Sequence, residues 1–121
     1  MSKTLLVTDD AMIIREMIKD AAQDAGWTIA GEACNGQEAI ERYAEYEPDA
    51  MTLDLVMPEY DGLHALRGIM EYNPQAKVLV VSALDQQQVL REALELGASD
   101  FIVKPFDKER VITALDAMVS A

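Results

Sequence analysis

Apolar residues fall along this chain in short consecutive runs that alternate with longer stretches of helical spacing. The runs at Thr4–Thr8, Thr28–Ala33, Ala50–Asp54, Lys77–Ser82 and Asp100–Val103 have the length and composition of β-strands. Two of them, Leu5-Leu6-Val7 and Val78-Leu79-Val80-Val81, are apolar on consecutive residues. That pattern fits strands covered on both faces, as in a parallel sheet. Between the runs, Met12, Ile13, Met17, Ile18 and Ala21 share one face of a first helix, and Ala39, Ile40, Tyr43 and Ala44 mark a second. Leu63, Leu66, Ile69 and Met70 mark a third, Val89, Leu90, Ala93 and Leu94 a fourth, and Val111, Ile112, Leu115, Met118 and Val119 a fifth. Gly26, Gly36, Pro48, Pro74 and Gly97 punctuate the boundaries.

Regular strand–helix alternation predicts an α/β fold with a parallel sheet. With right-handed crossovers, the leading arrangement is a flavodoxin-like, doubly wound (βα)5 unit with strand order 2-1-3-4-5 and helices on both faces. A length of 121 residues suits one domain spanning 1–121. No linker, repeat or low-complexity tract interrupts it.

In open α/β sheets, ligands bind beyond the carboxyl ends of the strands. Strand one is followed by Asp9-Asp10, strand three ends in Asp54, strand four in Ser82, and strand five in Lys104-Pro105. In the 2-1-3-4-5 order these ends are neighbours, so three carboxylates, a hydroxyl and an ammonium converge on one mouth. Carboxylates held together repel, and a hard divalent cation such as Mg²⁺ relieves them. With Lys104 added, the pocket lacks one anionic group, and a phosphoryl would bridge metal, Lys104 and Ser82. Asp54 then reads as the nucleophile that forms an aspartyl phosphate. Taken singly, each residue has a plainer reading: Asp9-Asp10 as helix cap and first-turn acid, Asp54 as a turn residue, Ser82 as a cap, Lys104 as a solvated charge. Their joint placement at four strand ends favours the chemical reading.

Charge narrows the partners. The chain carries 22 acidic against 10 basic residues, a net charge of −12, with no Lys/Arg cluster. Nucleic acid and anionic membrane surfaces are therefore excluded as expected partners, while cations and basic protein patches are favoured. Cys34 is the only cysteine, so no internal disulfide is expected. The leading apolar run is only Leu5–Val7 and no membrane span is present, which makes a cytoplasmic location the expectation.

The chain resembles response-regulator receiver domains, and among them the stand-alone CheY type of bacterial chemotaxis. The matching pieces are Leu5-Leu6-Val7-Thr8-Asp9-Asp10, Leu53-Asp54-Leu55-Val56-Met57-Pro58 with Asp61-Gly62, Val80-Val81-Ser82-Ala83, and Gly97 through Phe106. The resemblance implies that Asp54 takes phosphate from a phosphohistidine on a sensor histidine kinase. It implies a Mg²⁺ site (Mn²⁺ as a substitute) formed by Asp10, Asp54 and the Val56 carbonyl, with Asp9 reaching the metal through water. Ser82 and Lys104 would hold the phosphoryl oxygens, and the Lys104–Pro105 bond would be cis. Phe101 stands at the family's aromatic switch position, so that Ser82 and Phe101 would together remodel the face formed by helix four, strand five and helix five. The implied output is a target on that face, such as a flagellar motor switch protein. A phosphatase partner and a monomeric state also belong to this expectation. Catalysis would be limited to the chain's own phosphotransfer and slow dephosphorylation, not turnover as an enzyme.

Three departures and rivals complete the picture. Thr8 stands where valine is common in the family. Val56 and Leu84, at positions that tune phosphate lifetime, are apolar and cannot position a hydrolytic water, so a long-lived phosphoryl group is expected without a phosphatase. A phosphatase of the haloacid dehalogenase type would need an acid where Val56 stands, and a flavodoxin would not place Asp9-Asp10 beside a flavin phosphate. A phosphorelay intermediate, or a receiver-like scaffold that binds partners regardless of phosphorylation, remains as the alternative. His64 reads as a surface residue, and Trp27 as packing that would report on the site if close to it.

Overall fold

A computed structural model describes residues 3–57, 62–83 and 87–119. Its elements are β1 (Lys3–Thr8), α1 (Met12–Asp24), β2 (Trp27–Ala33), α2 (Gly36–Tyr46), β3 (Ala50–Asp54), α3 (Gly62–Tyr72), β4 (Val78–Ala83), α4 (Gln87–Leu96), β5 (Asp100–Lys104) and α5 (Lys108–Val119). All strand pairs are parallel and the order is β2-β1-β3-β4-β5, the flavodoxin-like arrangement predicted above.

The consecutive apolar runs follow from a sheet sandwiched between two helical layers. Leu6, Met51, Leu53, Val78 and Val80 pack on one face against Ala39 and Tyr43 of α2, Ala65, Leu66 and Ile69 of α3, and Ala93 of α4. Leu5, Val7, Leu79, Val81 and Ile102 pack on the other against Ile18, Ala21 and Ala22 of α1 and Val111, Ala114, Leu115 and Met118 of α5. Because side chains alternate faces along a strand, a run such as Val78–Val81 feeds both cores in turn. Local capping helps start α2. The Asn35 side chain accepts from the Glu38 N–H at 2.8 Å, and the Glu38 carboxylate accepts from the Cys34 N–H at 2.9 Å. The first bond satisfies a donor that a helix start leaves open, and the second ties Glu38 back to the residue before the cap.

The first helix departs from expectation. Its buried face is Ile18, Ala21 and Ala22, whereas Met12 and Ile13 are each 67% exposed and Met17 is 44% exposed. The inward stripe runs through Ile14, Ile18, Ala21, Ala22 and Ala25, so Met12, Ile13 and Met17 fall on the other side of the helix. Ala44 and Leu94, also expected to face the core, are exposed. Trp27 is buried as packing, but it opens β2 opposite Lys3, whose ammonium lies 4.9 Å from the ring centroid. It therefore sits at the end of the sheet away from the strand C-termini and does not report on the site. Lys3 also pairs with Asp116 of α5 at 3.7 Å. No described helix is long and apolar enough to cross a membrane.

Two central threonines carry a cost. Thr8 and Thr52 are buried, and their hydroxyl oxygens have no hydrogen-bond partner among the described residues. An unpaired buried hydroxyl costs about 1–3 kcal/mol, and valine replaces it with little change of shape. Thr52→Val is expected to raise unfolding stability by about 1 kcal/mol in urea titration. A loss instead would mean that the hydroxyl is satisfied in solution.

Candidate functional site

The chain reverses direction after β1 through a short acidic turn. The Asp9 N–H donates to the Ala33 carbonyl at 3.1 Å, which extends the β1–β2 ladder by one step. The Asp9 side chain accepts from the Ala11 N–H at 2.9 Å, and Ala11 then receives the first N–H groups of α1. The residue is thus held from both sides and is fully buried, while Asp10 is exposed. Asp54 closes β3 and is 5% exposed. Its Oδ1 accepts from the Val56 N–H at 3.1 Å, which sets the Val56 peptide beside the carboxylate and leaves the Val56 side chain in solvent.

Lys104, the last residue of β5, reaches back over β4 into this mouth. Its Nζ lies 3.0 Å from Asp9 Oδ2 and 3.4 Å from Asp54 Oδ2. The contact with Asp9 is an ion pair rather than a well-directed hydrogen bond, since Oδ2 accepts none among the described residues. Asp9, Asp10 and Asp54 each place a carboxylate oxygen within 4.8 Å of the others. Two of these acids are buried, and a single ammonium among the described residues stands against them.

The electrostatics follow from that crowding. Burial pushes the Asp54 carboxyl up to about 6, and the neighbouring Asp9 charge adds to the rise. The Val56 N–H and Lys104 pull the other way without cancelling it. Burial also acts to lower Lys104, but its pairing with Asp9 and Asp54 outweighs this and raises it above the ordinary lysine value. Three oxygen donors, two of them desolvated, suit a small hard cation, which the donor set fits better than a soft metal. Asp9, Asp10 and Asp54 are therefore the residues able to hold Mg²⁺.

The remaining predicted residues lie nearby. Ser82 is buried at the end of β4, one step beyond Val81, the β-partner of Asp54. Its hydroxyl is turned onto the Ala83 carbonyl at 3.2 Å. Phe101 is half-buried on the edge strand β5, packed on the α2–α3–α4 core. It borders a cavity of about 310 Å³ shared with Pro105, Phe106 and Arg110. Arg110 donates to the Phe101 carbonyl at 3.0 Å. The Lys104–Pro105 bond is cis. Pro58, Asp61 and Leu84 lie outside the described residues.

One residue, Arg15, escaped the sequence reading, and a second, Gly62, entered it only as part of the resemblance and without a role. Arg15 donates to the Asp9 carbonyl at 2.8 Å and is anchored through Nε to Glu32 at 2.9 Å, bracing the acidic turn against β2. Nothing in the spacing of Arg15 distinguishes it from a solvated helix arginine. Gly62 opens α3 directly against the end of β3. Its N–H donates to the Leu55 carbonyl at 3.1 Å, and a Cβ there would stand 2.4 Å from the Asp54 carbonyl oxygen. A glycine eight residues after a strand-end aspartate was the available signal.

Residues 5–116 match the family of response regulator receiver domains. The chemotaxis protein CheY of Thermotoga maritima is 49% identical over 116 residues, covering 96% of this chain and 97% of that protein. CheY of Halobacterium salinarum is 35% identical over 121 residues, with both chains covered in full. Among solved structures, a complex of CheX, CheY, BeF3 and Mg from Borrelia burgdorferi superposes with a TM-score of 0.93. That likeness is 31% identical and covers 98% of this chain and 90% of the other.

Proposed function

The chain belongs to the response regulator receiver domain family, and from that premise we propose that it relays a signal by accepting a phosphoryl group on Asp54. The observation that carries this is the placement of Asp9, Asp10, Asp54 and Lys104 at one strand mouth. In the transfer, an Asp54 carboxylate oxygen forms a bond to phosphorus as the bond to a histidine nitrogen of a sensor kinase breaks. The nitrogen keeps the electron pair and takes a proton. Asp9 and Asp10 stay behind as fixed charges that hold the site in place. Mg²⁺ held by Asp9, Asp10, Asp54 and the Val56 carbonyl, with Mn²⁺ as a substitute, would neutralise the phosphoryl oxygens.

Lys104 then exchanges part of its pairing with Asp54 for the new phosphoryl oxygens. Ser82 turns its hydroxyl from the Ala83 carbonyl to the same group. The space this clears lets Phe101 rotate inward, which shifts the population of the α4–β5–α5 face towards a form that binds its target. The names of the relatives support chemotaxis as the pathway, and the reading takes a motor switch protein as the target. The neighbouring complex of CheX with CheY supports a protein partner for this chain, and a phosphatase partner and a monomeric receiver belong to the same proposal.

Intact mass after incubation with Mg²⁺ and acetyl phosphate tests the reading. A single phosphoryl increment is expected in the wild-type chain, absent from Asp54→Asn and lost on chelation. No increment under any condition, with a kinase phosphodonor included, would leave a phosphorylation-independent scaffold in its place.

A further inference from the structure

One cleft among the described residues lies far from the carboxylate mouth. It measures about 510 Å³ and is lined by Tyr43, Glu47, Pro48, Tyr72 and Asn73. α3 starts against Asp54 at Gly62 and ends at Tyr72, so the cleft is removed from the phosphoacceptor by the whole length of that helix, roughly 16 Å. Two aromatic rings form a corner in it. Tyr43 and Tyr72 stand with centroids 6.2 Å apart and planes at 88°. Asn73 Nδ2 fixes the corner by donating to the Tyr43 hydroxyl at 3.1 Å. The Tyr72 hydroxyl reaches towards Glu47 Oε1 at 3.5 Å.

None of the residues lining this corner is basic, and Glu47 among them is acidic. Both α2 and α3 end here, and neither carries a basic residue in its last turn. Helix C-termini present unpaired carbonyls and the negative end of the dipole. Residues 44–49 and 71–76 contribute Glu45, Glu47, Asp49 and Glu71 and no lysine or arginine. Asp49 is already engaged by Thr4, which leaves Glu47 as the carboxylate lining the cleft. Glu47 holds its place in the left-handed region, with φ of 43°, where glycine would be favoured on conformational grounds. Aromatic faces attract cations, and so do carboxylates and helix C-termini, while an anion would be repelled by all of them.

We infer that this cleft is a receptor for one cationic group, a guanidinium or ammonium, seated in the Tyr43–Tyr72 corner against Glu47. The same chemistry can come from a free small cation or from an arginine or lysine side chain of a protein partner. The inference is independent of phosphoryl transfer at Asp54, and its test requires none.

Titration of the full chain, followed by amide nuclear magnetic resonance shifts, decides it. The probes are ethylguanidinium chloride and, separately, a terminally blocked Gly-Arg-Gly peptide, each against sodium chloride at matched ionic strength. Saturable shifts at Tyr43, Glu47, Tyr72 and Asn73 are expected with at least one probe. Glu47→Gly removes the carboxylate and relieves the backbone, so the fold is kept while the dissociation constant rises about tenfold. Tyr72→Leu, at a half-exposed position, should weaken binding similarly. Tighter binding of the peptide would identify a partner side chain as the source, and equal or tighter binding of the free cation a small molecule. Shifts that fail to saturate, that sodium reproduces, or that persist unchanged in Glu47→Gly would overturn the proposal.

Discussion

Replacing Gly62 with alanine is expected to destabilise the folded chain by about 3 kcal/mol and to slow phosphoryl uptake on Asp54 by about a hundredfold. The methyl group would stand 2.4 Å from both the Asp54 carbonyl oxygen and the Leu55 Cα, atoms of a central strand end that cannot swing aside. Either α3 lifts away from the sheet, or the end of β3 moves and carries the Asp54 carboxylate with it. The first loses the burial of Ala65, Leu66 and Ile69, and the second misplaces the proposed nucleophile, whose reaction depends on near-contact geometry. Gly68 provides the internal contrast. A Cβ there would meet Ile40 Cδ1 at 2.9 Å, the far end of a flexible side chain, and alanine is worth about 1 kcal/mol over glycine inside a helix. Gly68→Ala should therefore be near neutral. Urea unfolding followed by the buried Trp27, beside acetyl phosphate kinetics by intact mass, compares the two. Equal effects at both positions would refute the close-approach argument.

Removing the ammonium of Lys104 has the second large effect. With a chelator present, Lys104→Met should lower unfolding stability by about 3 kcal/mol at neutral pH, the cost of leaving buried charge uncompensated. Asp9 is fully buried and Asp54 nearly so, and no other described cation faces them within ion-pairing distance. The pH dependence has a definite sign. Lys104 is raised, so the stability it supplies is present below the ordinary lysine value and is lost only as pH climbs through its higher folded value. Asp54 is raised to about 6 from 3.8, so the folded state binds its proton more tightly than the unfolded chain does. Its own contribution therefore falls as pH rises from the lower value to the upper one. In the methionine variant, acid below that upper value protonates Asp54 and removes part of the unpaired charge. The deficit should accordingly shrink from neutral pH to about pH 5, as chemical unfolding at each pH would measure. Adding Mg²⁺ at neutral pH should recover part of it by binding the native state alone. A deficit that grows in acid would show that Lys104 is not the counter-charge of this cluster.

These expectations rest on features that differ in how openly the chain declares them. The strand runs were legible because a two-faced sheet demands apolar residues in succession, and Val78–Val81 meets that demand plainly. The mouth residues were legible because parallel strands deliver all their C-termini to one side, so polar strand ends become neighbours without any contact being known. The exposed face of α1 was not legible. Met12, Ile13 and Met17 have core chemistry, and the helix turns them outward because its inward stripe runs through Ile14, Ile18, Ala21 and Ala22 instead. Arg15 was hidden for a related reason, since its bond to the Asp9 carbonyl depends on how α1 leaves the acidic turn. The Tyr43–Tyr72 corner joins residues 29 positions apart on two helices, and their spacing gives no hint that both helices stop at one cleft.

The ion pair between Lys3 and Asp116 has a bearing on how the chain can be joined to other things. It ties the first strand to the last turn of α5, so the two ends of the described chain leave the fold side by side, near Trp27. That is the end where the strands begin, opposite the one where Asp9, Asp54 and Lys104 meet. A protein fused at either end would hang from the base and leave the acidic mouth open to a phosphodonor. Two copies joined in tandem would point their bases at one another, with both mouths free.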